Sequence, residues 1–197
     1  MNDPSAPRLV LASTSPYRRE LLARLHVPFE CDPPGCDEQA LPGEAPEALA
    51  LRLARLKAEA VAAHRTGCVV IGSDQVARRG EEILGKPGSV ERCIAQLSRS
   101  SGREVWFLTA VHVLDGRRGH AESHLDRTRV VFRTLDELEI ARYVAADRPL
   151  DCAGGFKAES LGIALFERIE SADPTALTGL PLAWLSGALR RAGIPVP

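Results

Sequence analysis

The stretch Cys68-Val69-Val70-Ile71-Gly72-Ser73-Asp74-Gln75 constrains the fold more than any other part of the chain, because an apolar run leads straight into a carboxylate. A short unbroken apolar run reads as a buried strand. Open α/β sheets place their chemistry where strands end, so a strand ending at Asp74 is expected to offer that acid to a ligand. Asp74 as a simple turn cap is the competing reading, and its place directly after a buried strand favours function. Downstream, Leu84-Gly85-Lys86-Pro87-Gly88 sets a cation between turn-forming residues, which can fix an ammonium in place. One acid and one base beside a cleft point to an anionic substrate.

The remaining sequence mixes helical and extended patterns. Leu9-Val10-Leu11-Ala12 predicts a first strand, followed by Ser15 as a helix cap and Pro16 at the first helical position. Val27 to Cys31 reads as a short strand, and residues 33–46 as a loop rich in acid, proline and glycine. Leu49, Leu53, Leu56 and Ala60 recur at helical spacing over 47–64, with alanines that suit close packing on a sheet. A hairpin near Gly80, a helix over 90–97 and two long strands joined at Asp115-Gly116 follow. Thr134-Leu135-Asp136-Glu137 reads as a capping box for a helix carrying Leu138, Ala141 and Val144. After a glycine-bearing loop over 151–162 come a strand over 163–169 and a last helix with Leu182, Leu185 and Leu189, stopped near Gly193. The expected fold class is α/β, a mixed twisted sheet flanked by helices, with residues 1–197 forming a single two-lobed domain.

With 197 residues and 45% hydrophobic content, a core of that size is within reach. Lys plus Arg number 25 against 26 for Asp plus Glu, so the net charge of -1 argues against a broad face for polymeric nucleic acid. Five cysteines, Cys31, Cys36, Cys68, Cys93 and Cys152, fit no paired zinc spacing, which suggests a reduced, cytoplasmic protein. Met1 to Arg8 has no apolar core of signal-peptide length, and no apolar run is long enough for a membrane span, so neither export nor a membrane partner is expected. His26, His64, His112, His120 and His124 show no ligand spacing.

Several candidates gather around these elements. Ser13, Ser15, Arg18 and Arg19 surround the first helix start, where free backbone N–H groups and the helix dipole attract anions and an arginine fork matches phosphate. Solvated arginines fit the same pattern. Lys57, beside the apolar stripe of its helix, reads as a helix-edge lysine with its stem on apolar surface. Asp37-Glu38 fits a solvated loop as well as a metal site, and Lys86 is equally open.

The chain resembles the Maf-like nucleoside triphosphate pyrophosphatases in eight ordered segments. They are LASTSPYRRELL, ALRLARLKAEA, IGSDQV, GKPGS, SGREVWFLTAV, DRTRVVFRTLDELEIARYV, PLDCAGGFKAESLGIALFERIE and DPTALTGLPL. SPYRR, GSDQV and AGGFKAES are similar to the branch acting on 7-methyl-GTP rather than the branch acting on dTTP and UTP. The resemblance implies a Maf / ITPase-like fold, and cleavage between the α and β phosphates of a nucleotide, removing a modified nucleotide from the pool. Asp74 would then be the general base. Ser13, Ser15, Arg18, Lys57 and Lys86 would bind the phosphates, and Asp74 with Glu38 would hold a divalent cation, Mg or Mn. Tyr17, Gln75 and Glu159 would set base choice, because a positively charged methylated ring suits an aromatic face and a carboxylate. A homodimer is compatible with the resemblance. A dTTP/UTP pyrophosphatase and a non-catalytic nucleotide-binding regulator of cell division are the alternatives, and a regulator would not need a general base.

Overall fold

Strand β3 (Val69–Arg79) organises the molecule, because its two edges are covered unequally. The computed structural model describes residues 7–197; the reading of the amino terminus for an export signal rests mostly on residues 1–6, which lie outside them. One edge of β3 pairs antiparallel with β5 (Glu104–Asp115) from Val69 to Arg78. Along the other edge, β1 (Leu9–Ala12) pairs in parallel with Val69–Gly72, and the short β4 (Glu82–Leu84) pairs antiparallel with Ala77–Arg79. Ser73–Val76 lie between those partners and have no strand beside them on that edge. Adding β2 (Glu30–Cys31), β6 (His120–Phe132) and β7 (Phe166–Glu170) gives a seven-stranded mixed sheet in the order β2-β1-β3-β5-β6-β7, with β4 attached to β3.

Side chains alternate across a strand, so the two faces of β3 receive different neighbours. Helix α2 (Pro46–Ala62) covers the face carrying Val70, Gly72, Asp74 and Val76, burying Ala50, Leu53, Ala54, Ala58 and Val61 against the sheet. Gly72 makes that approach possible: a Cβ there would stand 2.1 Å from the Ala54 carbonyl oxygen and 2.7 Å from the Ala58 nitrogen. The opposite face holds two separate cores. One joins Leu9, Leu11, Val69 and Ile71 to α1 (Pro16–Ala23) and α5 (Leu182–Arg191). The other joins Ala77, Phe107 and Phe132 to α3 (Val90–Ser100) and α4 (Glu137–Asp147). Between them β3 presents polar Ser73 and Gln75, so the gap between the two cores falls at the uncovered stretch.

The expected strand at 9–12, the Ser15 cap with Pro16 behind it, the helix over α2, the hairpin at Gly80 and the long β5–β6 pair are all present. Other expectations need correction. Asp74 lies in the middle of β3 rather than at its end, because β5 continues the ladder past it; it is β1 that ends, two residues earlier in register. The capping box forms two residues later, with Asp136 as cap and Glu139 as its return partner. Helix α4 therefore buries Ile140, Tyr143 and Val144 and leaves Leu138 exposed. The strand expected at 163–169 starts at Phe166, since Leu161–Leu165 coil into a 3-10 turn, and the strand expected at 27–31 shrinks to two residues. All five cysteines are unpaired. Among the described residues no helix is long and apolar enough to cross a membrane.

Candidate active site

A cleft of about 720 Å³ opens along Asp74–Val76, between the end of β1 and the start of β4. It is lined by residues 12–18 after β1, 33–38 of the following loop, 83–86 around β4, 151–159 and 177–179. The strand register thus explains why segments distant in sequence meet here.

Asp74 sits on the α2 side, only 8% exposed. Close packing at Gly72 brings Lys57, also buried, alongside it. The Lys57 ammonium donates to Asp74 Oδ1 at 2.6 Å and to Glu38 Oε2 at 2.8 Å. Asp74 Oδ2 has no partner among the described residues, which leaves one carboxylate oxygen of a cleft-lining acid free to accept a proton. Glu38 belongs to an exposed loop, yet that loop is braced from α2. Arg52 grips Glu44 through two bonds, at 2.6 and 2.8 Å, and donates to the Gln39 carbonyl at 2.9 Å. The guanidinium beside it holds the Glu44 carboxyl down to about 2. Neither Arg52 nor Glu44 was singled out from sequence, although an acid at 44 with an arginine on the next helix was there to be read.

At the start of α1, Ser13 Oγ accepts from the Ser15 N–H at 3.1 Å and Ser15 Oγ accepts from the Arg18 N–H at 3.4 Å. The two hydroxyls therefore shape the turn that faces the cleft. Arg18 is half-buried, with Nε donating to the Gly179 carbonyl at 3.1 Å. Burial pulls its guanidinium below the ordinary value, while the charges of Asp74 and Glu38 push it back. Arg19, by contrast, is exposed and does not line the cleft, so the arginine pair divides. Lys86 is exposed at the far lip and makes no ion pair among the described residues; its turn is tied to α3 by Gln96 Nε2, which donates to the Gly85 carbonyl at 3.3 Å.

The three residues expected to set base choice behave differently. Tyr17 and Glu159 both line the cleft, Tyr17 half-buried and Glu159 exposed. The Cys152 thiol donates to Tyr17 Oη at 3.7 Å; burial pushes the Tyr17 phenol up and the Cys152 thiol up to about 12, so both stay protonated at neutral pH. Gln75 lines the cleft but its amide nitrogen is committed inward, to Thr109 Oγ1 at 2.9 Å and to the carbonyls of Ala176 at 3.1 Å and Leu177 at 2.9 Å. Thr109 and Gly179 were missed. Thr109 left a signal, being a lone hydroxyl in the otherwise apolar run Val105–Val111.

No group of three or more His, Cys, Asp or Glu side chains that could hold a metal ion occurs among the described residues. Glu38 and Asp74 stand together, joined through Lys57. Two carboxylates lining one cleft match the donor chemistry of magnesium, which takes one or two acids and completes its shell with phosphate and water oxygens.

Fold and site together define an α/β protein whose cleft gathers Arg18, Lys57 and Lys86 around a buried acid. Residues 8–192 match the family model described as Maf-like protein, and the chain belongs to that family. It is 52% identical over 195 residues to a protein of Cupriavidus metallidurans called 7-methyl-GTP pyrophosphatase, covering 99% of this chain and 98% of that one. A protein of the same description from Xanthomonas campestris pv. campestris is 56% identical over 191 residues, covering 97% and 99%. Among solved structures, the Staphylococcus aureus Ham1 protein overlaps 64% of this chain and 71% of its own at a TM-score of 0.46 and 18% identity, too slight a likeness to carry an argument.

Proposed function

We propose that the chain is a nucleoside triphosphate pyrophosphatase that hydrolyses 7-methyl-GTP to the monophosphate and pyrophosphate. The observation that carries this reading is the buried Asp74, with one oxygen anchored by Lys57 and the other free in a cleft that also holds Arg18 and Lys86. The printed names of full-length relatives at 52% and 56% identity supply the substrate.

The residues divide the work as follows. Asp74 Oδ2 takes the proton of a water aligned with the bond between the α and β phosphates, and its carboxylate is kept in position by the Lys57 bond to Oδ1. Arg18, through its Nη groups, and Lys86 bind the phosphate chain, and Lys57 adds buried positive charge beside it. Ser13 and Ser15 hold the turn that brings the α1 start to that chain. Glu38 and Asp74 are the residues that would hold a divalent cation, which when bound supplies charge neutralisation to the phosphates. Tyr17 and Glu159 form the wall for the base: the ring offers its face to a cationic purine, and the carboxylate offers acceptors to guanine N–H groups. Gln75 serves base choice through the wall it holds rather than by its amide nitrogen. The reading takes residues 1–197 as one domain working on a cytoplasmic nucleotide pool.

The test is pyrophosphate release by purified protein with magnesium, with 7-methyl-GTP, GTP, dTTP and UTP competing in one tube. The expected result is a kcat/KM for 7-methyl-GTP above the other three and loss of turnover on chelation. Preference for dTTP or UTP would transfer the site to the other branch, and no pyrophosphate from any of the four would leave a binding protein.

A further inference from the structure

The turn over 176–179 is held by the sheet to an unusual degree. Three of its carbonyls meet side chains from β3 and β5. Ala176 accepts from Thr109 Oγ1 at 2.9 Å and from Gln75, Leu177 accepts from Gln75, and Gly179 accepts from Ser73 Oγ at 2.9 Å. Ser73 and Thr109 are both fully buried, where an unpaired hydroxyl would be costly; Ser73 Oγ also lies 2.8 Å from the Ala110 carbonyl and shares its one proton between that oxygen and Gly179. The same Gly179 oxygen also accepts Arg18 Nε–H at 3.1 Å. A side chain at 179 would interfere directly: its Cβ would stand 3.2 Å from Arg18 Nε and 3.3 Å from Arg18 Cγ, at a backbone φ of +120° that favours glycine.

We propose that Ser73 is a positioning residue for Arg18, acting through the Gly179 carbonyl: its hydroxyl fixes that oxygen, and the oxygen fixes the guanidinium by Nε. The consequence is chemical. Anchoring through Nε leaves both Nη groups, with four N–H donors in one plane, aimed at the ligand, which is the arrangement that grips a phosphate bidentately. Without the anchor the side chain regains rotamers, and the fork meets the phosphate only after paying that ordering cost. Ser73 does not touch the nucleotide, because its side chain is fully buried and does not line the cleft. This inference rests on the phosphate-binding role of Arg18 given above.

A double-mutant cycle over Ser73→Ala and Arg18→Ala tests it, read as kcat/KM for 7-methyl-GTP. Ser73→Ala is expected to lose about tenfold, Arg18→Ala about a hundredfold, and the double variant no more than Arg18→Ala alone. Ser73→Cys, with equal shape and a weak donor, should fall between wild type and Ser73→Ala. A second readout needs no substrate: the Arg18 Nε–H resonance in arginine-labelled protein should shift in Ser73→Ala while the backbone spectrum elsewhere stays in place. Multiplicative losses in the cycle, or an Nε–H signal unmoved by Ser73→Ala, overturn the proposal. An inactive wild type would instead sink the assigned reaction, and the resonance would still decide the positioning claim.

Discussion

The two walls of the cleft differ in how far their charges are already committed. On the β1 side, Asp74, Lys57, Glu38 and Arg18 are tied to one another or to a carbonyl, and Arg52 braces the loop behind them. On the β4 side, Lys86 and Glu159 stand exposed and, among the described residues, without ionic partners. The first wall has its geometry before a ligand arrives, as a catalytic site requires. The second acquires partners only from the ligand, as a recognition surface does. Substitutions on the first wall should therefore change rate, and substitutions on the second should change which nucleotide is taken and how tightly.

Asp74→Asn strikes the first wall at its centre and should lower kcat about a thousandfold with near-UV circular dichroism unchanged. Single-turnover hydrolysis at close to the wild-type rate would remove Asp74 as the base. Gly72→Ala attacks the wall's foundation, since its Cβ meets α2 backbone that cannot move aside; a loss on the order of 3 kcal/mol is expected in urea unfolding. Unaltered stability would mean α2 does not sit as closely as described. On the second wall, Lys86→Ala should raise KM about tenfold and leave kcat within about twofold, the cost of one charge-assisted contact made equally in ground and transition states. A fall in kcat instead would move Lys86 to the catalytic side. The smallest effect belongs to Glu159→Gln, where an exposed charge is weakened by solvent: preference for 7-methyl-GTP over GTP should drop about threefold. Identical ratios in the two proteins would take Glu159 out of base recognition.

Much of this was legible in the sequence wherever the cause was local. The Ser15 cap, Pro16 behind it, the alanine-rich face of α2 and the Gly80 hairpin each follow from neighbours a few residues away. Asp74, which does line the cleft, was placed wrongly at a strand end, because the length of β3 is decided by its ladder with β5 and not by its own pattern. The inward direction of Lys57 was not legible for a similar reason: it depends on Gly72, fifteen positions on, letting α2 close in. Arg18 and Arg19 are adjacent and chemically alike, and which of them turns to the cleft depends on how α1 is docked, with Arg18 meeting the distant Gly179 carbonyl. Glu38 looked like loop solvent until the Arg52–Glu44 brace gave its loop a shape.

The bare stretch of β3 between its two short partners has one more consequence. Four extended residues measure about 13 Å, so the mouth of the cleft is a ruler whose divisions are peptide units. Lengthening β1 by two residues would close about half of that gap, and shortening β4 would lengthen it. Changing either strand would also move the residues that follow it, Ser13 to Arg18 after β1 and Lys86 after β4, so the width of the mouth and the placing of its charges are set together.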